Sequence, residues 1–466
     1  MVCKKRYLVF FFVLITTFVN AQQKKAVSVW LTDPAHSIFF KQQTPLPFTK
    51  IDKNKTATIS IDDKQTCQSI DGFGFALTGG SAMNMMQMST AARSALIKEL
   101  FATDKNNIGA SYLRVSIGAS DLNEKVFSYD DLPEGQTDTS LVHFDLGPDK
   151  NDVIPVLKEI LKIDPAIKIM GSPWSPPVWM KANHDTRGGS LLKEFYPAYA
   201  KYFVKYIQAM RKQGIRIDAI TVQNEPLHPG NNPSLQMFAP DQADFVKNHL
   251  GPAFKAAHID TKIIIYDHNA DKPEYPISIL DDADAKKYID GSAFHLYGGK
   301  IEALSKVHDA HPDKNLYFTE QWVGAPGNFA KDIPHHIQQL IIGATRNWSK
   351  TVIEWNLASD PQYKPHTDRG GCDRCLGAVT IDKDSVTRNP AYYIIAHAAK
   401  FARPGSVRIG STISDDLPNT VFKTKDGKIV LIVLNNTKES RTFDVLLKDK
   451  IFIASLEPGA VATYVW

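Results

Sequence analysis

The sequence predicts an α/β fold in which an eight-stranded parallel barrel, a (β/α)8 TIM barrel, is joined to a smaller antiparallel β-sandwich. Three observations carry this prediction. Short apolar runs alternate with amphipathic segments between about residues 72 and 395, there are eight such runs, and the flanking residues show β-like patterns without long helical periods. Alternating strands and helices are typical of a parallel sheet, and eight repeats suit a closed barrel.

The predicted elements of the barrel follow one another along the chain. The eight strands span residues 70–79, 110–119, 167–175, 218–226, 262–269, 291–299, 315–324 and 351–359. Amphipathic segments predict helices over 89–101, 197–214, 240–257 and 332–348. Ser89 is placed to cap the first helix, and the second opens with Pro197 and closes with basic residues and Gly214.

The flanking segments predict the sandwich. Residues 406–466 contain several short β-like runs, including a hairpin that turns at Asp426 and Gly427, and residues 26–70 contain comparable strands. We therefore divide the chain into a signal peptide (1–21), N-terminal strands of the sandwich (22–70), a catalytic barrel (71–400) and a C-terminal sandwich segment (401–466).

The N-terminus has the pattern of a secretory signal. Lys4, Lys5 and Arg6 precede a 13-residue apolar stretch, and small residues allow cleavage after Ala21. An uncleaved anchor is the alternative, but 13 residues are fewer than the roughly 20 that a spanning helix needs. We expect an exported protein, located in the periplasm, at the cell surface or outside the cell, without a transmembrane segment.

Charge points to a neutral substrate. The formal net charge of the chain is +4, and the signal segment contributes three positive charges and no negative ones, which leaves +1. A nearly neutral chain offers no electrostatic basis for binding nucleic acid or anionic membranes. A neutral substrate fits this charge better.

Three cysteines remain beyond the signal segment. Cys372 and Cys375 form a C-x-x-C pair, which is compatible with zinc, redox chemistry or a local disulfide. No second set of ligands stands at zinc-site spacing, and an exported protein favours the disulfide. Cys67 is expected to be a buried free thiol.

Polar and aromatic side chains follow the predicted strands at the barrel end that holds active sites. Glu225 follows strand four and Glu320 closes strand seven, so the two carboxylates can face one another across the barrel axis. Glycosidic-bond cleavage needs such a pair, one to protonate the leaving oxygen and one to meet the developing oxocarbenium ion. Side chains suited to sugar rings and hydroxyl groups surround them: Asp121, Trp174, Trp179, Asn224, Asp267, His295, Tyr297, Trp322 and Trp355.

Three of these residues have an equally ordinary structural explanation. Glu225 stands before Pro226 and can satisfy loop amides, and Trp174 in a Pro-rich loop can serve packing alone. His295 is more often a hydrogen-bonded core histidine than an acid or base.

Two further residues leave alternatives open. Glu354 also lies near a strand end and competes with Glu320 for the nucleophile role, although strand alternation directs it away from the face of Trp355. Arg114 either orients a catalytic carboxylate or forms a structural ion pair.

Seven motifs, taken together, resemble those of glycoside hydrolase family thirty, which includes glucosylceramidases and bacterial and fungal β-1,6-glucanases. They occur in family order over essentially the whole chain beyond the signal segment: DGFGFALTGGSA, YLRVSIGASD, GSPWSPPVWMK, TVQNEP, AFHLYGG, LYFTEQWVG and EWNLA.

The resemblance implies a retaining enzyme with Glu225 as acid/base and Glu320 as nucleophile. It also implies that six residues surround the sugar before the cleaved bond: Asp121, Trp174, Asn224, His295, Tyr297 and Trp355. Gln321 and the loop 365–382, with its Gly-Cys-x-x-Cys segment, place the chain nearer to the glucanase-like members.

We therefore expect a monomeric endo-β-1,6-glucanase that acts on a β-linked glucan or another neutral β-glucoside by double displacement. Its carboxyl groups should lie about 5–5.5 Å apart, and it should need no metal or organic cofactor. The pKa of Glu225 should be raised beside an ionised Glu320. Glucosylceramidase, β-glucosidase or β-xylosidase activity is the alternative within the family. A non-catalytic carbohydrate-binding protein is the alternative of another class, and the presence of both carboxylates argues against it.

Overall fold

The eight predicted strands close into one parallel barrel. The computed structural model of the chain describes residues 26–49 and 58–466, so the expected signal peptide lies outside the described residues. Neighbouring barrel strands pair in chain order, and the seventh and eighth close the ring onto the first, which confirms the predicted fold class. The strands are β1 (Gly72–Leu77), β2 (Tyr112–Ser116), β3 (Lys168–Ser172), β4 (Ala219–Thr221), β5 (Lys262–Ala270), β6 (Ile289–Gly299), β7 (Asn315–Glu320) and β8 (Ser349–Glu354).

Helices surround the barrel, and all four predicted ones are present in outline. Ser89 accepts a hydrogen bond from the N–H of Ala92 at 3.3 Å and so caps the first of them, as predicted. They run over Thr90–Phe101, Tyr196–Lys212, Ala239–Ala256 and Phe329–Ala344. The last two contain π-helical stretches at Val246–Leu250 and Ile337–Ala344, and each contains a proline that interrupts the regular hydrogen-bond ladder.

The sequence patterns did not predict the remaining helices, most of which are short. They are Gly79–Gln87, Val153–Ile163, Glu274–Asp281, Ala283–Lys286, Ala303–Ala310 and Pro390–Ala399. Short 3-10 turns lie at Pro34–His36, Gly147–Lys150, Val178–Met180 and Lys193–Phe195, and short strands in the loops at Val323–Gly324, Ala358–Ser359, Cys375–Leu376, Val379–Asp382 and Ser385–Arg388.

The sandwich combines strands from both ends of the chain, as predicted. In sheet order the strands are Ile38–Leu46, Val27–Asp33, Val461–Val465, Ile429–Leu434, Asn419–Lys423, Val407–Ser411, Ile59–Ser69, Arg441–Leu447 and Lys450–Leu456. One pairing departs from the antiparallel expectation, because Arg441–Leu447 runs parallel to Ile59–Ser69. The predicted hairpin at Gly427 joins two of these strands, with the glycine at φ 83°.

The last helix joins the barrel to the sandwich. The ring of His397 is fully buried and lies 2.9 Å from the Thr463 hydroxyl and 2.8 Å from the Thr32 hydroxyl, one on each of two sandwich strands. Burial lowers the pKa of His397 to about 3, so the ring is neutral at ordinary pH. The sandwich is therefore docked firmly against the barrel wall.

Strand alternation sets the level of the functional site. One inward-facing residue from each of seven barrel strands forms a closed apolar layer in the barrel: Tyr112, Met170, Ala219, Ile264, Ala293, Tyr317 and Ile353. Two residues further along a strand, the next inward side chain points into the space above this layer. On β2 and β3 that side chain is Arg114 and Ser172, so a polar layer rests on an apolar floor.

Candidate active site

A buried guanidinium organises the polar layer. Arg114 Nη1 donates to Glu320 Oε2 at 2.5 Å, while Nη2 donates to Asp267 Oδ2 at 2.7 Å and to Asn224 Oδ1 at 2.6 Å. Its side chain has no solvent exposure. Arg114 thus forms a structural ion pair with Asp267 and orients a carboxylate at the same time, so both interpretations of this residue apply.

Asp267 is the anionic centre beneath the site. Its oxygens accept hydrogen bonds from Thr319 at 2.6 Å and from Thr221 at 2.7 Å, besides that from Arg114, and His295 Nε2 lies 3.1 Å away. Burial by itself raises the pKa of Asp267, but Arg114 and His295 hold it far below its usual range. Asp267 is therefore ionised and fixes both the guanidinium and the imidazole.

Glu225 emerges just beyond β4 in an unusual backbone conformation. Its φ is 45°, in the left-handed region that residues other than glycine rarely occupy. Its N–H donates to the Asp267 carbonyl at 2.9 Å, which holds it there. The Glu225 carboxylate lies 3.1 Å from His295 Nδ1 and accepts from Asn231 Nδ2 at 3.2 Å.

Glu320 closes β7 opposite Glu225. Besides the bond from Arg114, it accepts one from the Tyr297 hydroxyl at 3.0 Å. One oxygen of each glutamate lies within 4.8 Å of the other. This separation suits direct attack on a sugar carbon, as in retaining enzymes, and is too short for the 6.5–9.5 Å that an inverting pair requires.

The charges of these groups are distributed differently from the sequence-based expectation. Burial raises the pKa of Glu320, although His295 and Arg114 oppose it, whereas the pKa of Glu225 is lowered because the hydrogen bond and charge of His295 outweigh its burial. The pKa of His295 is raised to about 9 against its burial, by Glu320, Asp267 and Glu225. The expectation of a raised pKa at Glu225 is therefore wrong for the free protein, because His295 is then a cation.

The hydrogen bond from His295 can supply the proton that Glu225 lacks in the free protein. With Nε2–H donated to Asp267, the Nδ1 proton of His295 can move to Glu225 along the 3.1 Å contact. The neutral ring then accepts a hydrogen bond from a neutral carboxyl group, and the number of protons is unchanged. The pair can thus present either a carboxylate or a carboxylic acid to a bound molecule.

A cavity of about 280 Å³ opens above the two glutamates. Its walls combine carboxylates, amides and indole rings, the composition expected of a sugar pocket. The lining residues are Asp121, Trp174, Glu225, His228, Asn231, Asn269, Tyr297, Glu320, Trp322, Trp355, Cys372 and Cys375.

Four of the six predicted sugar-binding residues line this cavity: Asp121, Trp174, Tyr297 and Trp355. The other two are not among its lining residues: the Asn224 carbonyl oxygen accepts from Arg114, and His295 is fully buried between Glu225 and Asp267.

The sequence patterns gave no indication that four further residues line the cavity. His228 and Asn231 lie on the loop after β4, and Cys372 and Cys375 on the loop after β8, where strand periodicity gives no information. Asp267 was expected among the side chains that hold the sugar, but the structure buries it fully below the cavity, where it accepts hydrogen bonds from Arg114 and from the Thr319 hydroxyl.

Two candidates from the sequence lie away from the cavity. Glu354 is fully buried on the outer side of β8, with one oxygen 2.7 Å from His336 Nδ1, as strand alternation predicted. Trp179 donates from its ring nitrogen to the Asp130 carbonyl at 3.0 Å and packs on Phe195.

The cysteines agree with expectation in two of three positions. Cys372 and Cys375 form the predicted disulfide, so their sulfurs are not free for zinc. Cys67 is a free thiol but is half-buried, not buried as expected, because it lies on a sheet strand with partly exposed neighbours.

Within residues 26–49 and 58–466, the one cluster with metal-ligand geometry is Glu225, His295 and Glu320. A cation there would compete with the guanidinium that already donates to Glu320, so we assign no metal to it. Among the helices of these residues, none is long and apolar enough to cross a bilayer.

Two family models match the chain, one over the barrel and one over the C-terminal part of the sandwich. The model described as the TIM-barrel domain of glycosyl hydrolase family 30 matches residues 70–402, and the β-sandwich domain of that family matches residues 405–464.

Individual proteins extend the comparison. An endo-1,6-β-D-glucanase of Neurospora crassa is 38% identical over 376 residues, covering 77% of this chain and 76% of its own length. The lysosomal acid glucosylceramidase of Mus musculus is 29% identical, covering 89% of this chain and 85% of its own. A solved structure described as an endo-β1,6-glucanase superimposes with a TM-score of 0.87 at 35% identity, covering 95% of this chain and all of its own.

Proposed function

The chain belongs to glycosyl hydrolase family 30, and from this membership we propose that it is an endo-β-1,6-glucanase that cleaves β-1,6-linked glucan with retention of configuration. The observation that carries the linkage is the likeness to endo-1,6-β-glucanases at 34–38% identity over three quarters of the chain, against 27–29% for the glucosylceramidases. The observation that carries retention is the short separation of Glu225 and Glu320.

In the first step Glu320 attacks the anomeric carbon and Glu225 donates its proton to the leaving oxygen. Arg114 holds the attacking carboxylate at 2.5 Å, and the Tyr297 hydroxyl holds its other oxygen. His295 passes its Nδ1 proton to Glu225 as the substrate enters, so that the acid form is available. The C–O bond to the leaving sugar breaks as the ester bond to Glu320 forms.

In the second step Glu225 takes a proton from water, and the water oxygen replaces Glu320 at the anomeric carbon. Asn224 donates its amide hydrogen to the sugar 2-hydroxyl, because its carbonyl oxygen already accepts from Arg114 at 2.6 Å. Two inversions at one carbon give net retention. Asp121, Trp174 and Trp355 line the cavity around the two glutamates and are placed to contact the sugar.

We also propose that the protein is exported and meets this polymer outside the cytoplasm, because residues 4–21 have the pattern of a secretory signal. The nearly neutral charge beyond residue 21 and the indole rings and amides in the cavity wall support a sugar ligand that carries no charge.

The product profile of the purified protein on pustulan, a linear β-1,6-glucan, tests the proposed function. Short β-1,6 oligosaccharides of several lengths should accumulate together, because an endo enzyme cuts within the chain. Glucosylceramide incubated in parallel should remain intact. Release of ceramide with pustulan untouched would instead assign the protein to the lipid-cleaving branch of the family.

The activity should depend on pH through the proton shared by His295 and Glu225. The pKa of His295 is raised to about 9, so the proton is fully present below that pH and is lost as the pH rises through it. We expect kcat/KM on pustulan to fall about tenfold per pH unit above about 9. In His295→Asn the decline should begin at lower pH, because Glu225 then holds the proton alone. An unchanged alkaline limb in this variant would contradict the role of His295.

A further inference from the structure

The disulfide is part of the cavity wall and not a staple remote from it. Cys372 and Cys375 both line the cavity, and Cys375 packs in a small apolar cluster with Trp174 and Trp355. Trp322 and Cys372 extend this cluster toward solvent. A continuous surface of sulfur and indole therefore lies beside the catalytic pair, and we call Trp322, Cys372 and Cys375 the disulfide wall.

The disulfide wall is held in place by the segment that carries it. Residues 366–376, here called the strap, cross the mouth of the barrel and are bonded to four different loops, so that the wall is preorganised. The bonds join Thr367 N–H to the Asp121 carbonyl at 2.9 Å, Asn232 Nδ2 to the Asp368 carbonyl at 3.0 Å, Arg369 to Asp185 at 3.0 Å and Ala325 N–H to the Arg374 carbonyl at 2.8 Å.

The position of Glu225 shows which sugar this wall faces. An acid must lie beside the oxygen that it protonates, so the leaving sugar passes over Glu225 and the residues of its own loop, His228 and Asn231. The wall lies mainly over the opposite arc of the barrel, where Cys375 pairs with Gly324 after β7. Cys375 packs there on Ala76 of β1 and on Trp355 just after β8, and its cluster extends to Leu122 and Trp174 in the loops after β2 and β3. The wall therefore borders the sugar whose anomeric carbon reacts, and whatever is attached to that sugar.

The chemistry of the wall suits a substituted sugar. Disulfide sulfur offers no hydrogen-bond donor, and an indole ring offers its face to C–H groups. A free hydroxyl group would be poorly solvated there, whereas the methylene group of a 1,6-linkage would pack against it. An exo enzyme needs the opposite arrangement, polar groups that recognise an unsubstituted chain end.

We propose, on the basis of the proposed glucanase function, that the disulfide wall binds the glucose attached to the non-reducing side of the reacting sugar and thereby favours cleavage within the chain. The disulfide closes a ring of only four residues, which constrains the unfolded chain less than a long loop does. Its main effect is therefore expected to be local, on the shape of the wall.

Two nitrophenyl glycosides measure this contact directly. The β-glucoside fills only the position of the reacting sugar, whereas the β-gentiobioside adds one 1,6-linked glucose on its non-reducing side. Wild type should prefer the gentiobioside, and the double substitution C372A with C375A should lower the ratio of the two kcat/KM values by about tenfold, the effect of losing one apolar contact. The matched control is C67A, which lies in the sandwich and should leave the ratio unchanged.

The ratio of the two kcat/KM values distinguishes the loss of a substrate contact from a folding or catalytic defect, because such a defect lowers both kcat/KM values alike. An unchanged ratio in the double variant, whether both rates fall or neither does, would overturn the inference. If that variant does not fold, Trp322→Ala provides the same test, with the same lowered ratio expected. Wild type that cleaves the glucoside but neither the gentiobioside nor pustulan would instead refute the proposed function itself.

Discussion

Replacing Glu320 by Ala should reduce kcat on pustulan by at least about a thousandfold, because no carboxylate remains to form the ester with the reacting sugar. Azide should restore turnover of an activated β-glucoside, since it is small enough to occupy the vacated space. The product should be the α-glucosyl azide, because azide then attacks directly and inverts the anomeric carbon once. The anomer is read by NMR spectroscopy.

The matched variant Glu225→Ala should give the opposite anomer. Its kcat on pustulan should fall by about 10²–10⁴-fold, the usual contribution of a general acid. A glucoside with a good leaving group still forms the ester with Glu320, and azide then releases the β-glucosyl azide. Glu354→Gln is the control and should retain activity, because Glu354 contacts His336 behind the barrel wall. An α-azide from Glu225→Ala, or inactivity of Glu354→Gln with its fold intact, would contradict the assignment.

Replacing Arg114 by Met should lower the free energy of unfolding by about 3–5 kcal/mol, because it leaves Glu320 and Asp267 buried without their cation. Urea denaturation at neutral pH measures the change. Activity should fall as well, since the Glu320 carboxylate loses the donor that orients it.

The pair of Arg216 and Asp218, whose arginine is exposed and whose aspartate also contacts Lys168, provides the control for this change. Their side chains lie 2.8 Å apart, but Arg216 is 57% exposed, so Arg216→Met should cost no more than about 1 kcal/mol. An equal decrease in the free energy of unfolding of the two variants would show that Arg114 does not compensate the charges of the buried carboxylates.

Where strand periodicity holds, the sequence was sufficient to place side chains. Along β8 and its end, alternation predicted that Glu354 and Trp355 face opposite ways, and the structure has Glu354 against a helix and Trp355 in the cavity. The carboxylates of strands four and seven were likewise expected across the axis from one another, and one oxygen of each lies within 4.8 Å of the other.

Where periodicity breaks, the sequence could not place them. The register of β5 shifts between Tyr266 and His268, and both Tyr266 and Asp267 have positive φ. Alternation therefore could not show that Asp267 lies below the site, bonded to Arg114, and not beside the sugar as expected. The same is true of the strap, whose position depends on close backbone packing: a side chain at Gly370 would lie 2.4 Å from the Gly230 carbonyl.

The distribution of protons could not be read from motif spacing. A motif identifies Glu225 as a carboxyl group beside a strand end, but its charge depends on His295, whose own charge depends on Asp267 and Glu320. These four groups come from four different strands and interact only after the barrel has closed. The resulting charge is a property of the cluster.

Trapping with an activated 2-deoxy-2-fluoro-β-glucoside tests the central claim, a covalent intermediate on Glu320, most directly. The fluorine slows both the formation and the hydrolysis of the ester, and the activated leaving group speeds only its formation, so the ester accumulates. The intact mass should increase by one fluoroglucosyl group, and peptide sequencing should place this group on Glu320. Label on Glu354, or steady hydrolysis of unmodified substrate to the inverted sugar without any label, would contradict the account.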